Sequence, residues 1–468
     1  MSRRRMTYKR LLHILFSQPA TRRQAVQRRR LWIAVIMRLV MILVMILLLV
    51  LIITGIRSCS RRKAEKKAEE AAKKVAAESK DVQIGFTGCM ILHQSILNSY
   101  KDESGNYNFT APFEYVKDYY SKPAIMACEM EGCIGNEQTG ISGYPMFCYP
   151  DVFPENLESL GFDLQALATN HIYDGKTEGL NNTLQTYNDS GVTYTGIRSS
   201  AEDKRYTILE SGGIKIGYVD YTYGTKDSFN TMQVEDDDAE LINMFREADP
   251  GDFYNEVESQ IEAIENEGAD FIVYMIHWGA EYELEPSAEQ KAIAQKLCDL
   301  GVDVIIGGHP HVIQPVEVLK SDDGSHKTFC IYSIGNQFSN QTEGVSMDTA
   351  HCEDGAIITF DLHKSKQGTV TISDMNLVPT WVYRNLRAGT VNTEDGNDGT
   401  SEGTEVTEDE NAVYDYAVLP LDNIKKLEEK TGLSGVQDDA QASYERTMKI
   451  IGEGFDLAKE ELVTKKKK

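Results

Sequence analysis

Residues 271–311 read FIVYMIHWGAEYELEPSAEQKAIAQKLCDLGVDVIIGGHPH, and this stretch decides the fold class. The apolar run Phe271–Ile276 predicts a buried strand. Pro286-Ser287 then opens a helix over Ala288–Leu300, Gly301 stops it, and Val302–Ile306 predicts the next strand. Working outward, further strands are expected at Val82–Phe86, Ala124–Cys128, Leu164–Ala168, Lys215–Val219, Thr328–Ser333, Ala356–Asp361 and Thr369–Ile372. Helices are expected at Glu178–Asn188 and Phe253–Glu267, a returning strand at Tyr414–Leu421 and a terminal helix at Ala440–Thr464. Short apolar runs alternating with helical stretches make this an α/β chain, with a core from residue 81 to about 385.

The chemistry is expected where strands end, because open α/β sheets build their crevices there. Three predicted strands run directly into polar turns: Ala168-Thr169-Asn170-His171, Ile276-His277-Trp278-Gly279 and Gly307-Gly308-His309-Pro310-His311. The i, i+2 spacing of His309 and His311 puts two imidazoles on one side of an extended segment, an arrangement suited to a metal ion. The competing reading of His277 is a core histidine tied to a nearby carboxylate such as Glu281 or Glu283, and Trp278 reads as packing. His93, His326, His351 and His363 have no such context and read as structural or surface residues. No Walker-type phosphate loop and no Gly-x-Ser-x-Gly elbow is present.

HWGAEYELEPSAEQKAIAQKLCDLGVDVIIGGHPHVIQPVEVL, NHIYDGKTEGLNNTL and IYSIGNQF resemble the CapA (PgsA) family of poly-γ-glutamate capsule synthesis proteins, over roughly residues 81–385. The resemblance implies two packed mixed β-sheets flanked by helices, the sandwich of the calcineurin-like metallophosphoesterases, with a dinuclear metal site at the strand ends. It implies His277, His309 and His311 as metal ligands, Asn170 as a carbonyl ligand, and His171 as the acid or charge stabiliser beside a transferred phosphoryl group. Glu131 stands at the family's Asn-Leu-Glu-Gly position as the carboxylate of the site. Asn336, in Gly335-Asn336-Gln337, matches an element that supports a histidine through a hydrogen bond.

Three positions depart from the family pattern. Cys89, in Gly88-Cys89-Met90, replaces an expected Asp ligand, Glu129 replaces the Asn of Asn-Leu-Glu-Gly, and Thr169 replaces the first Asn of Asn-Asn-His. A thiolate ligand at Cys89 would favour zinc over magnesium or manganese. Weakened or lost metal binding is the second reading, and a disulfide from Cys89 to Cys128 or Cys133 the third. The implied cofactor is therefore a divalent metal, zinc or manganese, in a possible pair. The implied function is synthesis or export of an anionic capsule polymer such as poly-γ-glutamate, with a metal-dependent hydrolase site. Its rival is a non-catalytic scaffold of a polymer assembly complex that keeps the fold.

Charge sets the topology. Of the formal −24 over 468 residues, residues 1–80 hold 20 Lys/Arg and 4 Asp/Glu, so they are +16 and the rest is −40. A domain so acidic excludes a nucleic-acid partner. Residues 31–56 are apolar but for Arg38, and the 18 uncharged residues 39–56 nearly match a bilayer's roughly 30 Å hydrocarbon thickness. The expected order is a basic cytoplasmic tail (1–30), one transmembrane helix (31–56), a charged helical stalk (57–80), and an extracytoplasmic domain (81–388 and 412–438). A flexible acidic insertion (389–411) and a C-terminal helix with a Lys tail (439–468) complete it. The expected setting is the cell membrane, spanned once, with membrane lipid, other synthase subunits and an anionic polymer or phosphoester substrate as partners. Eight cysteines are too sparse for a disulfide scaffold.

Overall fold

The computed structural model describes residues 81–344, 347–387 and 413–464, together with scattered helical residues between 26 and 45. The expected tail, most of the transmembrane segment, the stalk and the 389–411 insertion lie outside the described residues. Among those described, no helix is long and apolar enough to cross a membrane.

Within the unit from Val75 to Lys468, the described strands form two large mixed sheets and one small one. The first sheet has eight strands, ordered Tyr414–Pro420, Val370–Leu386, Asp354–Lys364, Asp81–Met90, Ile125–Met130, Leu164–Ala166 and Tyr194–Thr195, with Asn336–Phe338 also paired to Asp81–Met90. The second has seven, ordered Val316–Lys320, Lys327–Ile331, Val304–Gly308, Phe271–His277, Ile214–Tyr223 and Tyr206–Ser211, with Met244–Phe245 beside Ile214–Tyr223. In the second sheet parallel pairs occupy the middle and antiparallel pairs both edges, whereas in the first the pairs are parallel from Asp81–Met90 out to the edge at Tyr194–Thr195 and antiparallel from Asp81–Met90 out to the edge at Tyr414–Pro420. This is the mixed α/β architecture of two helix-flanked sheets that the family resemblance implies.

The sheets share one core. Ile84, Phe86, Ala127 and Phe360 of the first meet Tyr218, Val273, Val304 and Phe329 of the second in a single buried cluster. The terminal helix Gln437–Leu462 adds Ile451, Phe455 and Ala458 to it. Alternation along a strand sends neighbours to opposite faces, so Ala127 joins this core while Met126 and Cys128 pack in another cluster under the outer helices.

Helix Ala288–Asp299 starts where the sequence places it. The Ser287 side chain accepts from the Gln290 amide at 3.0 Å, and Gln290 reaches back to the Ser287 amide at 2.8 Å, a reciprocal capping box. Two expectations fall short. Tyr206–Ser211 is an unforeseen edge strand, and the strand expected at Thr369–Ile372 runs from Val370 to Leu386, passing through Pro379.

Candidate functional site

Strand ends deliver the candidate side chains to one place. Cys89 ends the Asp81 strand, Glu129 and Glu131 end and follow Ile125–Met130, and Asn170 and His171 follow Leu164–Ala166. His277 closes its strand, and His309 and His311 lie in the turn after Val304–Gly308. That turn is strained: His309 and His311 have φ of 90° and 58°, in the left-handed region that non-glycine residues rarely adopt. Gly308 is required beside it, because a Cβ there would lie 2.2 Å from Glu129 Oε2.

His277 is wholly buried between two elements far apart in sequence. Its Nδ1 lies 2.7 Å from Glu129 Oε1, and its Nε2 lies 2.9 Å from Asn170 Oδ1 and 3.1 Å from His309 Nδ1. The carboxylate that holds it is thus Glu129, not the Glu281 or Glu283 of the competing reading. With its proton on Nδ1, His277 donates to Glu129 and turns a lone pair toward the Asn170 carbonyl oxygen, a clash that an electron-pair acceptor would reconcile; with its proton on Nε2, it donates to Asn170 instead.

Glu131 is the centre of this geometry. Its Oε1 lies 3.8 Å from His277 Nε2 and 3.8 Å from His311 Nε2, yet neither carboxylate oxygen has a hydrogen-bond partner and the residue is fully buried. Two groups of convergent ligand atoms, each within 4.8 Å, share it: Cys89, Glu131 and His311 form one, and Glu131, His277 and His309 the other. Glu131 is thus a buried carboxylate common to two groups made of residue types that bind divalent ions.

Burial sets the protonation of the cluster. It raises the Glu131 carboxyl well above the ordinary range, with the Glu129 charge adding to it, and pushes Glu129 up to about 7. It drives His277 and His309 well below the usual imidazole value and His311 down to about 4, so the three are neutral and present lone pairs. Burial also raises the Cys89 thiol, whose Sγ donates to Glu129 Oε2 at 2.8 Å.

The Asn336 side chain accepts at 3.1 Å from His311 Nδ1 and donates to Ser339 and Gln341, so it fixes the ring as its sequence context suggests. His171 Nδ1 lies 2.7 Å from Asp174 Oδ2, which also accepts the Phe147 amide at 2.6 Å. Asp174 escaped sequence reasoning, although its place three residues after His171 in a post-strand turn was a signal. Tyr223, whose ring lies 4.7 Å from His309, gave none, because the contact is purely tertiary. His171, Glu281, Tyr282 and His311 line a cleft of about 380 Å³, together with His93, read from sequence as lacking site context. Glu281 groups there with His309 and His311. Trp278 is packing: it is fully buried and its indole N–H donates to the Tyr332 carbonyl at 2.8 Å.

The disulfide reading of Cys89 has no support in the fold. Cys128 points to the opposite face from Glu129, whose carboxylate Cys89 touches, and Cys133 lies beside Cys148 instead.

The bacterial capsule synthesis protein PGA_cap family matches residues 83–341, more than half the chain and every strand end described above. The chain belongs to this family. It is 24% identical over 229 residues to the capsule biosynthesis protein CapA of Bacillus anthracis, covering 47% of this chain and 49% of that protein. The PGA biosynthesis protein CapA of Bacillus subtilis (strain 168) is 26% identical over 228 residues, 47% of this chain and 52% of that protein. A probable polyglutamine synthesis accessory protein of Mycobacterium tuberculosis is 26% identical over 202 residues, 40% of this chain and 52% of that protein. The chain thus spans about half the length of the curated relatives it matches.

Proposed function

We propose that this chain takes part in the synthesis or export of an anionic capsule polymer such as poly-γ-glutamate, through a calcineurin-like hydrolase site that takes two divalent ions. One observation carries the reading: Glu131 is buried, unpartnered and shared by two ligand triads. Cys89, Glu131 and His311 would hold one ion, and the sulfur donor favours zinc there. Glu131, His277, His309 and Asn170 would hold the other, a nitrogen and oxygen set open to zinc or manganese. Such ions supply polarisation of a phosphoryl or carbonyl oxygen and stabilise the charge that develops on it.

The chain's own groups do the rest. Glu129 orients His277 and Asn336 orients His311. His171, held through Nδ1 by Asp174, would in its doubly protonated form give its Nε2 proton to a leaving oxygen. The apolar segment 39–56 anchors the chain, with residues 1–30 in the cytoplasm and the folded region outside, beside other subunits of a polymer synthase.

The test is to purify the full chain, measure zinc and manganese per chain, and assay a phosphodiester, a phosphomonoester and a γ-glutamyl amide. Bound metal and hydrolysis lost in His309→Ala are expected; no metal and no activity after adding either ion contradicts the reading. A scaffold reading has its own support, since Cys89 already donates to Glu129 and His277 already has partners at both nitrogens. It predicts that polymer production survives replacement of His277 and His309.

A further inference from the structure

Two thiols outside the candidate metal ligands face each other. Cys133 and Cys148 are directly opposed in the parallel two-stranded sheet Cys133–Ile134 and Cys148–Tyr149, and their Sγ atoms lie 3.5 Å apart. Neighbouring strands hold Cα atoms within the separation that a disulfide spans. Cys133 has little other room: a Cβ at Gly175 or Gly179 would come within 3.0 or 2.9 Å of its sulfur, and the Gly175 amide donates to it at 3.2 Å. The segment between the two cysteines carries Tyr144, Pro145, Met146 and Phe147, which line the cleft.

We propose that Cys133 and Cys148 are a redox pair whose disulfide locks residues 134–147 against the cleft. The lock acts on the site through two contacts. Phe147, next to Cys148, donates its amide to Asp174, which holds His171. Tyr149, on the other side of Cys148, donates its hydroxyl to the backbone carbonyl of Glu131, two residues before Cys133. Closing the pair therefore fixes both ends of the segment on residues that position the site. The proposal does not depend on whether the site binds a metal.

The chemistry is thiol–disulfide exchange with an external disulfide, either a small molecule or the disulfide of an oxidoreductase. One protein thiolate attacks it, forming a mixed disulfide and releasing one thiol. The second protein sulfur then displaces the other thiol. The Cys133–Cys148 bond forms, the external S–S bond breaks, and the two thiol protons leave on the two released thiols. The pair is oxidised by two electrons and the external disulfide is reduced by two.

The test treats the full chain with oxidised glutathione, alkylates remaining thiols under denaturing conditions and maps the peptides by mass spectrometry. A Cys133–Cys148 cross-linked peptide reversed by dithiothreitol is expected, with Cys298 and Cys330 alkylated. Recovery of both cysteines alkylated, or capture of either by Cys89 or Cys128, overturns the proposal. Amide hydrogen exchange over 141–148 is the second readout. It slows on oxidation of the wild type and not of Cys148→Ser; equal exchange in both redox states overturns the lock.

Discussion

At the residue scale, Glu131 and Glu129 make separable predictions. Glu131→Gln keeps the shape and replaces a carboxyl that burial favours in its neutral form with an amide, where neither oxygen has a partner. With a chelator present it is expected to melt close to wild type, because one neutral buried polar group replaces another. With zinc added, wild type is stabilised and the variant is not; an equal thermal shift in both contradicts the assignment. Glu129→Gln removes the acceptor that orients His277, and metal affinity is expected to fall about 10- to 100-fold, read by competition titration. Cys89→Asp is expected to move preference from zinc toward manganese, since it trades a soft ligand for a hard one. Much of this was legible in the sequence: Asn170, His277, His309 and His311 announce themselves by following apolar runs directly. Asp174 and Tyr223 do not, because their roles depend on contacts that only the folded chain makes.

At the element scale, the turn after Val304–Gly308 is the most constrained part of the site. Gly308→Ala would drive a Cβ against the Glu129 carboxylate and is expected to destabilise by about 1–3 kcal/mol and weaken metal binding together. The helix that precedes it offers the contrast. Ser287→Ala breaks the capping box and is expected to cost about 1 kcal/mol in urea denaturation while leaving metal stoichiometry unchanged. Central strands were readable because both faces are buried and the runs are continuously apolar. The edge strand Tyr206–Ser211 was not, since it is nowhere fully buried and its apolar run is only Ile208-Leu209 before Glu210-Ser211. Pro379 hid the length of Val370–Leu386, because proline argues against a strand interior.

At the scale of the whole molecule, the terminal helix Gln437–Leu462 packs on both sheets, against Val316–Lys320 of one and Val370–Leu386 of the other. Arg446 anchors it, donating to Asp354 from Nε at 2.8 Å and from a terminal nitrogen at 2.7 Å, with Ser443 donating to the same carboxylate at 2.6 Å. Arg446→Met leaves a buried carboxylate without its cation and is expected to cost about 3–5 kcal/mol, measured by urea denaturation. Sequence patterning predicted this helix but not its clamping role, because nothing local to it says which sheets it will bridge. The two-sheet frame matters because it brings five strand ends to Glu131. The most direct measurement of that claim is metal per chain by mass spectrometry, on full chain equilibrated with zinc or manganese and then dialysed. About two ions per wild-type chain, falling toward zero in Glu131→Ala, is the predicted result. A wild-type value near zero, or one that Glu131→Ala leaves unchanged, would contradict it.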